Sequence, residues 1–416
     1  MNTTTKAPPT AGIDPRSPAT VLAPPSRTAD VPPPASASDP FDAEWARSIE
    51  RNVLAPMTDS YFRAELIGGE RIPARGPVVL AANHSGNAFP YDGIVLDALL
   101  WRRDGMRDEA KFRTVYEYQL SLRWWMRPYG IRNFWRRGGG VDMTFDNFDR
   151  LLARGDRVLY FPEGVPGIGK GFNRRYQLQR FSSSFVLLAA RHHAPVLPLY
   201  VINAEWLHPF GYCIRPLDWV MQRVFLVPFL PLPIGLLAIL MPWMWFLAFP
   251  VRLVFVVGDP IDVAGELRAV GVTDLEAPPR DRLRQAAERV RERMQKEITA
   301  LVAVHGRTRY GFPSLLRSLR RARPHALRAT PLGWPLAFIQ HERDRERPPA
   351  RSRLHAILRD WDLIGFYLPL GWPLLTLARR LRKPPYGYRG LSREEVRRRE
   401  GQFVWKLAEE PVSGKR

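Results

Sequence analysis

The chain has 416 residues, 45% of them hydrophobic, enough for a core domain of ordinary size with substantial extensions. Its net charge of +21 calls for an anionic partner: nucleic acid, anionic lipid or a phosphorylated substrate. The single cysteine, Cys213, excludes a disulfide framework within the chain and any multi-cysteine zinc site, and the N-terminus lacks the basic-then-apolar pattern of a signal peptide.

Residues 1–40 are rich in Ala, Pro, Ser and Thr and read as a disordered tail. Phe41 to Met57 reads as a helix, with Phe41, Trp45, Ile49 and Val53 at intervals of four and Pro56 marking its end. Tyr61 to Ile67 alternates like a strand, and Gly68-Gly69 turns it. The apolar run Pro77 to Ala82 reads as a buried strand. It ends in a polar turn carrying His84 and then Asp92, before a helix from about Gly93 to Trp101. A histidine at the end of a buried strand, beside a carboxylate able to hold its tautomer, has the makings of a general base. The plainer reading is a loop histidine with Asp92 as a helix N-cap.

Strand and helix then alternate. Strands are expected over Lys111–Val115, Arg157–Phe161, Pro195–Val201 and Arg252–Val257, and helices over Tyr116–Arg127, Met143–Ala153 and Ser182–His193. That rhythm predicts an α/β domain over residues 41–265, built on a mostly parallel sheet flanked by helices.

Two apolar segments interrupt or follow it. Val224–Val251 carries no charged residue, but five prolines and two tryptophans argue for a re-entrant or interfacial hairpin over a straight spanning helix. Residues 275–416 form a basic, mostly helical extension. Within it an amphipathic helix runs from Asp281 to Val304, and a more basic stretch follows over Leu315–Arg328. The apolar segment 363–377 leads directly into Arg379, Arg380, Arg382 and Lys383. Such a pattern suits insertion beside anionic headgroups, each surface cation being worth about 1 kcal/mol.

Phe161-Pro162-Glu163-Gly164 ends its strand as His84 ends another, and open parallel sheets bind ligands beyond the carboxyl ends of their strands. A glycine-rich loop, Gly164 to Gly171, follows. Arg136 and Arg137 upstream, and Lys170, Arg174, Arg175 and Arg180 downstream, read together as a phosphate site.

Over about Ile72 to Ile261 the sequence resembles the glycerolipid acyltransferases typified by 1-acylglycerol-3-phosphate acyltransferase. Asn83-His84…Asp92 is similar to the family's first motif, Gly130 to Arg137 to its second, Phe161-Pro162-Glu163-Gly164 to its third and Val196-Leu197-Pro198-Leu199 to its fourth. Val257 to Ile261 resembles the strand end that closes the domain. The spacing between histidine and aspartate is seven residues where the family usually has four, a length resembling a bacterial branch with a His-Ser-Gly opening. Val165-Pro166 replaces the family's usual Thr-Arg, so Lys170, Arg174 or Arg175 substitutes for that arginine, or the acceptor is not a phosphate monoester.

The resemblance implies a glycerol-phosphate-acyltransferase-like fold. It also implies transfer of a fatty acyl group from coenzyme A or acyl carrier protein to the hydroxyl of a lysophospholipid or related glycerolipid. His84 and Asp92 would be catalytic, with Asn83, Arg137, Glu163, Gly164, Lys170, Arg174 and Arg175 binding substrate. Neither a metal nor a cofactor beyond the thioester co-substrate is expected, and nothing resembles a nucleic-acid-binding module. The expected location is the cytoplasmic face of a membrane, peripheral or monotopic, with an anionic lipid surface as partner. A non-catalytic lipid-binding protein on the same fold, or a thioesterase, would share these features.

Overall fold

In the β-strands of the central sheet, successive side chains face opposite sides, and both sides are dry. Val78, Leu80 and Ala82 join one apolar cluster, while Val79 and Ala81 join the other. A strand buried on both faces needs helices on both, as in parallel sheets with crossover connections. The computed structural model describes residues 41–85, 89–117, 134–220, 232–322, 326–346 and 352–381. The predicted tail, the predicted helix beyond Glu117 and the start of the first apolar segment lie largely outside them.

The strands are β1 (Glu65–Ile67), β2 (Val78–Ala82), β3 (Arg113–Tyr116), β4 (Val141–Asp142), β5 (Arg157–Tyr160), β6 (Val196–Ile202), β7 (Gly211–Tyr212), β8 (Leu232–Pro233) and β9 (Val254–Val257). Seven form one sheet in the order β1-β9-β6-β2-β5-β3-β4, and β7 pairs with β8 separately. All neighbours in the large sheet run parallel except β6 and β9, which are antiparallel. The register sets Ala81 beside Tyr160 of β5 and Ala82 beside Leu199 of β6. The carboxyl ends of β2, β5 and β6 therefore open on the same edge of the sheet.

One face of the sheet is covered by the N-terminal helical run, the helix Tyr91–Arg103 and C-terminal side chains including Trp334 and Phe366. The other is covered by helices Phe145–Ala153, Ser184–Arg191 and Arg280–His305. The long helix buries Leu283, Ala287, Val290, Met294 and Ile298 as its amphipathic pattern requires. Residues C-terminal to the expected boundary near 265–275 complete both core layers.

Two local readings change. Pro56 does not end the first helix, because the backbone shifts to wider π-type turns over Glu50–Leu54 and Pro56–Tyr61, with Phe62 N donating to Met57 O. The expected strand Tyr61–Ile67 shrinks to its last three residues, since Tyr61 belongs to that helical run and its ring packs on Phe62 and Trp334.

Among the described residues no helix is long and apolar enough to cross a membrane. The described part of the first apolar segment folds as a helix, Ile234–Leu240, and a single-turn run, Pro242–Phe246. The second folds as Trp361–Phe366 and Trp372–Leu381. The two segments join: Leu370 N donates to Leu240 O at 2.6 Å and Trp372 Nε1 to Ile239 O at 2.8 Å.

Candidate active site

Three strand ends build the site. Asn83, one residue beyond β2, is fully buried and spends its side chain on the neighbouring strand. Its Oδ1 accepts from Val201 N at 2.7 Å and its Nδ2 donates to Val201 O at 3.3 Å. The amide thus prolongs the β2–β6 pairing and fixes where the chain leaves the sheet.

His84 follows, half-buried, with its ring lying flat against Phe161 at a centroid separation of 4.0 Å and 14° between planes. Its Nδ1 is 3.0 Å from Asp92 Oδ2. Asp92 is fully buried in the first turn of the helix Tyr91–Arg103, and so is not the N-cap of the plainer reading. Ser85 donates to the same oxygen through N and Oγ, both at 2.9 Å, and Gly93 N donates to Oδ1 at 2.9 Å. Burial by itself would push this carboxyl up, but His84 and the Ser85 and Gly93 amides outweigh it and hold Asp92 below the usual carboxylate range. An ionised carboxylate there accepts a hydrogen bond from Nδ1–H of His84 and leaves the Nε2 lone pair free for a proton, the tautomer a general base requires.

Glu163, just beyond β5, is buried as well. Its Oε1 accepts the backbone N–H of His84 at 2.9 Å and its Oε2 that of Gln179 at 2.6 Å. Gly164 adopts φ +56°, ψ −147°, a backbone region essentially reserved for glycine, and this turns the chain away from β5. Gly167 packs so closely that a Cβ would sit 2.5 Å from Glu163 Cβ and 2.9 Å from His84 Cβ.

The expected cationic cradle is not assembled as one cluster. Lys170 is fully buried: Nζ donates to His84 O at 2.6 Å and lies 3.1 Å from Glu205 Oε1 and 3.8 Å from Glu163 Oε2. Burial works against its charge, yet these carboxylates hold the ammonium above its usual range. Arg136 is buried against Asp142 through two hydrogen bonds. Arg137 reaches Glu342 Oε2 at 2.8 Å and lies 4.2 Å over the Trp45 ring. Arg175 is exposed and covers Phe172 and Trp206, and Arg174 is half-buried on the turn Phe172–Arg174.

Asn83, Glu163 and Lys170 thus stand around His84 with their polar atoms turned to protein partners. Their polar atoms meet Val201 of β6, the His84 and Gln179 amides, and the His84 carbonyl with Glu205, respectively. The Arg137 guanidinium joins the N-terminal helical run, at Asp42 and Trp45, to Glu342 of the helix Trp334–Glu346.

Sequence reasoning missed Glu205, in the turn Ala204–Leu207 after β6, whose Oε1 also accepts Tyr176 N at 2.9 Å. His208 is fully buried and pushed down by that burial to about 4, so it stays neutral and donates Nε2–H to Leu247 O. Cys213 is half-buried and its thiol contacts Asp218. Among the described residues no three His, Cys, Asp or Glu side chains gather as metal ligands.

A buried aspartate beneath a histidine at the carboxyl edge of a mostly parallel sheet makes this an α/β domain equipped for general-base chemistry. Residues 63–202 match the family model described as Acyltransferase. An uncharacterized protein of Mycobacterium bovis is 30% identical over 273 residues, which cover 63% of this chain and 68% of the relative, and an uncharacterized Mycobacterium tuberculosis protein matches equally. One from Mycobacterium leprae is 28% identical over the same length, 66% of that relative. The chain belongs to the acyltransferase family. Among solved structures, the 1-acyl-sn-glycerophosphate acyltransferase PlsC of Thermotoga maritima is similar at 17% identity and a TM-score of 0.36, covering 62% of this chain and 81% of that one.

Proposed function

We propose that the protein transfers a fatty acyl group from a thioester, on coenzyme A or acyl carrier protein, to the hydroxyl of a lysophospholipid or related glycerolipid. The observation that supports this most is the His84–Asp92 pair at 3.0 Å with the aspartate fully buried. An alcohol is barely ionised at neutral pH, so its attack on a thioester needs a base at the hydroxyl. His84 Nε2 takes that proton while the alcohol oxygen bonds to the thioester carbonyl carbon. Asp92 stabilises the resulting imidazolium. When the carbon–sulfur bond breaks, the imidazolium returns the proton to the departing thiolate. The products are an ester and a free thiol, and no covalent enzyme intermediate is involved.

The reaction is set at a membrane surface. The net charge of +21 favours anionic headgroups, and the two joined apolar segments leave Leu236, Ile239, Leu240, Leu370 and Leu377 about half exposed. Their inner side chains reach the catalytic loop: Phe246 packs on Phe89 at 5.5 Å and on Phe366 at 6.4 Å, and Tyr91 OH donates to Phe246 O at 2.8 Å. These contacts join the apolar face to Phe89 and to the helix that carries Asp92.

The test is acyl transfer by purified protein in detergent, offering labelled acyl-CoA or acyl carrier protein thioester and a panel of lysophospholipids. Wild type should turn over one acceptor class, and His84→Ala should lose about 10²–10⁴-fold in kcat. Equal activity in both proteins overturns the base assignment. Equal inertness with every acceptor and both carriers moves the reading to a lipid-binding protein.

A further inference from the structure

A general base serves only where its ring is held in place, and a displacement of about 1 Å can cost 10²-fold in rate. Side-chain hydrogen bonds fix the His84 ring, but the ring follows its backbone, which has already left the sheet. That backbone is gripped on both sides. Glu163 accepts a hydrogen bond from its N–H and Lys170 donates one to its C=O.

We infer that Lys170 and Glu205 are positioning residues for His84: a buried ion pair that carries the carboxyl end of β6 across to the catalytic loop. The inference rests on the proposed role of His84 as the base.

Lys170, Glu163 and Glu205 have no side-chain exposure. Burying an ammonium costs several kcal/mol even after relaxation, and good geometry with further hydrogen bonds is needed to offset it. Here the offset is Glu205 at 3.1 Å, Glu163 at 3.8 Å and the His84 carbonyl at 2.6 Å. One contact is with the backbone of the base and another with the carboxylate that holds the other side of that backbone. A lysine buried in this way cannot meet a phosphate headgroup without dismantling the site. Glu205 is anchored in turn by Tyr176 N, and Glu163 by Gln179 N, so the clamp links β2, the loop after β5 and the end of β6.

The test uses the full-length protein with two variants, Glu205→Gln and the charge-neutral pair Lys170→Met with Glu205→Gln. Replacing a buried ion pair by neutral groups often leaves stability unchanged, so the double variant is expected to fold. In it kcat should fall about 10²-fold with the acceptor KM unchanged. The downfield NMR signal of the His84 proton shared with Asp92 should shift or vanish. Glu205→Gln, which keeps the shape and an acceptor, should lose less.

Wild-type kcat and an unchanged proton signal in a folded double variant overturn the inference. So does a raised acceptor KM at constant kcat, which would mark Lys170 as a headgroup ligand. In wild type the His84 amide should exchange as slowly as those of β2, and exchange at the rate of an open loop also overturns the clamp. Activity surviving in His84→Ala instead sinks the base assignment. The NMR and exchange results still read the clamp in that case, so the two failures are separable.

Discussion

The Asp92 carboxylate and the His84 imidazole meet at 3.0 Å across seven intervening residues, because β2 ends and the helix Tyr91–Arg103 begins at the same edge of the sheet. Asp92→Asn keeps the shape but would no longer offset the positive charge that His84 would acquire as the proposed base. Its kcat should fall about 10²–10⁴-fold with little change in KM, measured by acyl transfer. The stability effect has a definite sign. The folded carboxyl lies below its ordinary value of 3.8, so its contribution is present above pH 3.8 and is lost as pH falls through the folded value. The stability gap between wild type and Asp92→Asn, about 1–3 kcal/mol, should be full at pH 6 and close below pH 3.8. Urea unfolding across that range measures it, and a gap that widens in acid contradicts the assignment.

Glu50 has the opposite sign. It is buried beneath Arg102, whose Nε lies 3.2 Å away, and burial pushes its carboxyl up to about 7 despite Arg102 and Lys111 pulling it down. A raised folded value means that its stabilising contribution is complete below pH 4.5 and gone once pH has risen through about 7. Glu50→Gln should therefore resemble wild type near pH 4 and be more stable at pH 8 by up to about 3 kcal/mol. Arg102 keeps both oxygens of Asp59 at 2.8 Å. Denaturant melts at the two pH values decide this, and equal stabilities at pH 8 would show that the carboxylate is not strained.

Some of this architecture was legible in the residues and some could not be. The runs around Val78–Ala82, Arg157–Tyr160 and Val196–Ile202 announce buried strands because each is short, apolar and closed by a polar turn. His84 and Glu163 stand out in the sequence because each stands just past such a strand. Glu205 stands just past a strand too, but in Asn-Ala-Glu-Trp no local pattern says that a carboxylate is buried. Only the parallel register of β2, β5 and β6 brings it to Lys170. Lys170 is opaque for the same reason: in the sequence it reads as an anion ligand in a glycine-rich loop, and its contact with Glu205 depends on a distant strand end. The long helix Arg280–His305 was plain as a helix, but its partner surface was not. Amphipathic spacing reports that a face is buried and not what buries it.

Arg137 tests how the two ends of the described chain cooperate. Its guanidinium joins Glu342 of the helix Trp334–Glu346, stacks over Trp45 and lies 3.7 Å from Asp42, while Trp45 Nε1 donates to the same Glu342. Arg137→Ala and Glu342→Ala should each lower the melting temperature, and the double variant should lose less than the sum. The coupling should be about 1 kcal/mol. The acceptor KM should stay at its wild-type value in all three. Additive losses with a KM raised by Arg137→Ala alone would return Arg137 to the role of headgroup ligand.

The joined apolar segments make a separate prediction about where the enzyme works. Leu236, Ile239 and Leu240 lie on one segment and Leu370 and Leu377 on the other, with the Leu370 N–H and the Trp372 indole N–H fastening the two. Exchanging Leu236, Ile239 and Leu370 for serine leaves the buried Phe246 and Phe366 untouched, so the fold should survive. Each of these leucine or isoleucine side chains is worth about 1.5–3 kcal/mol when fully buried. Half of that for three residues predicts a loss of vesicle affinity of at least tenfold. Binding to vesicles of anionic phospholipid should also weaken steeply with salt, since the cationic charge acts through screened attraction. Turnover of a short-chain, water-soluble acceptor should be unaffected by the three substitutions, because none of these side chains touches His84. If the triple variant binds anionic vesicles as wild type does, this face does not meet the membrane. If it also loses activity on the soluble acceptor, the apolar segments act by shaping the catalytic loop through Phe89 and Tyr91.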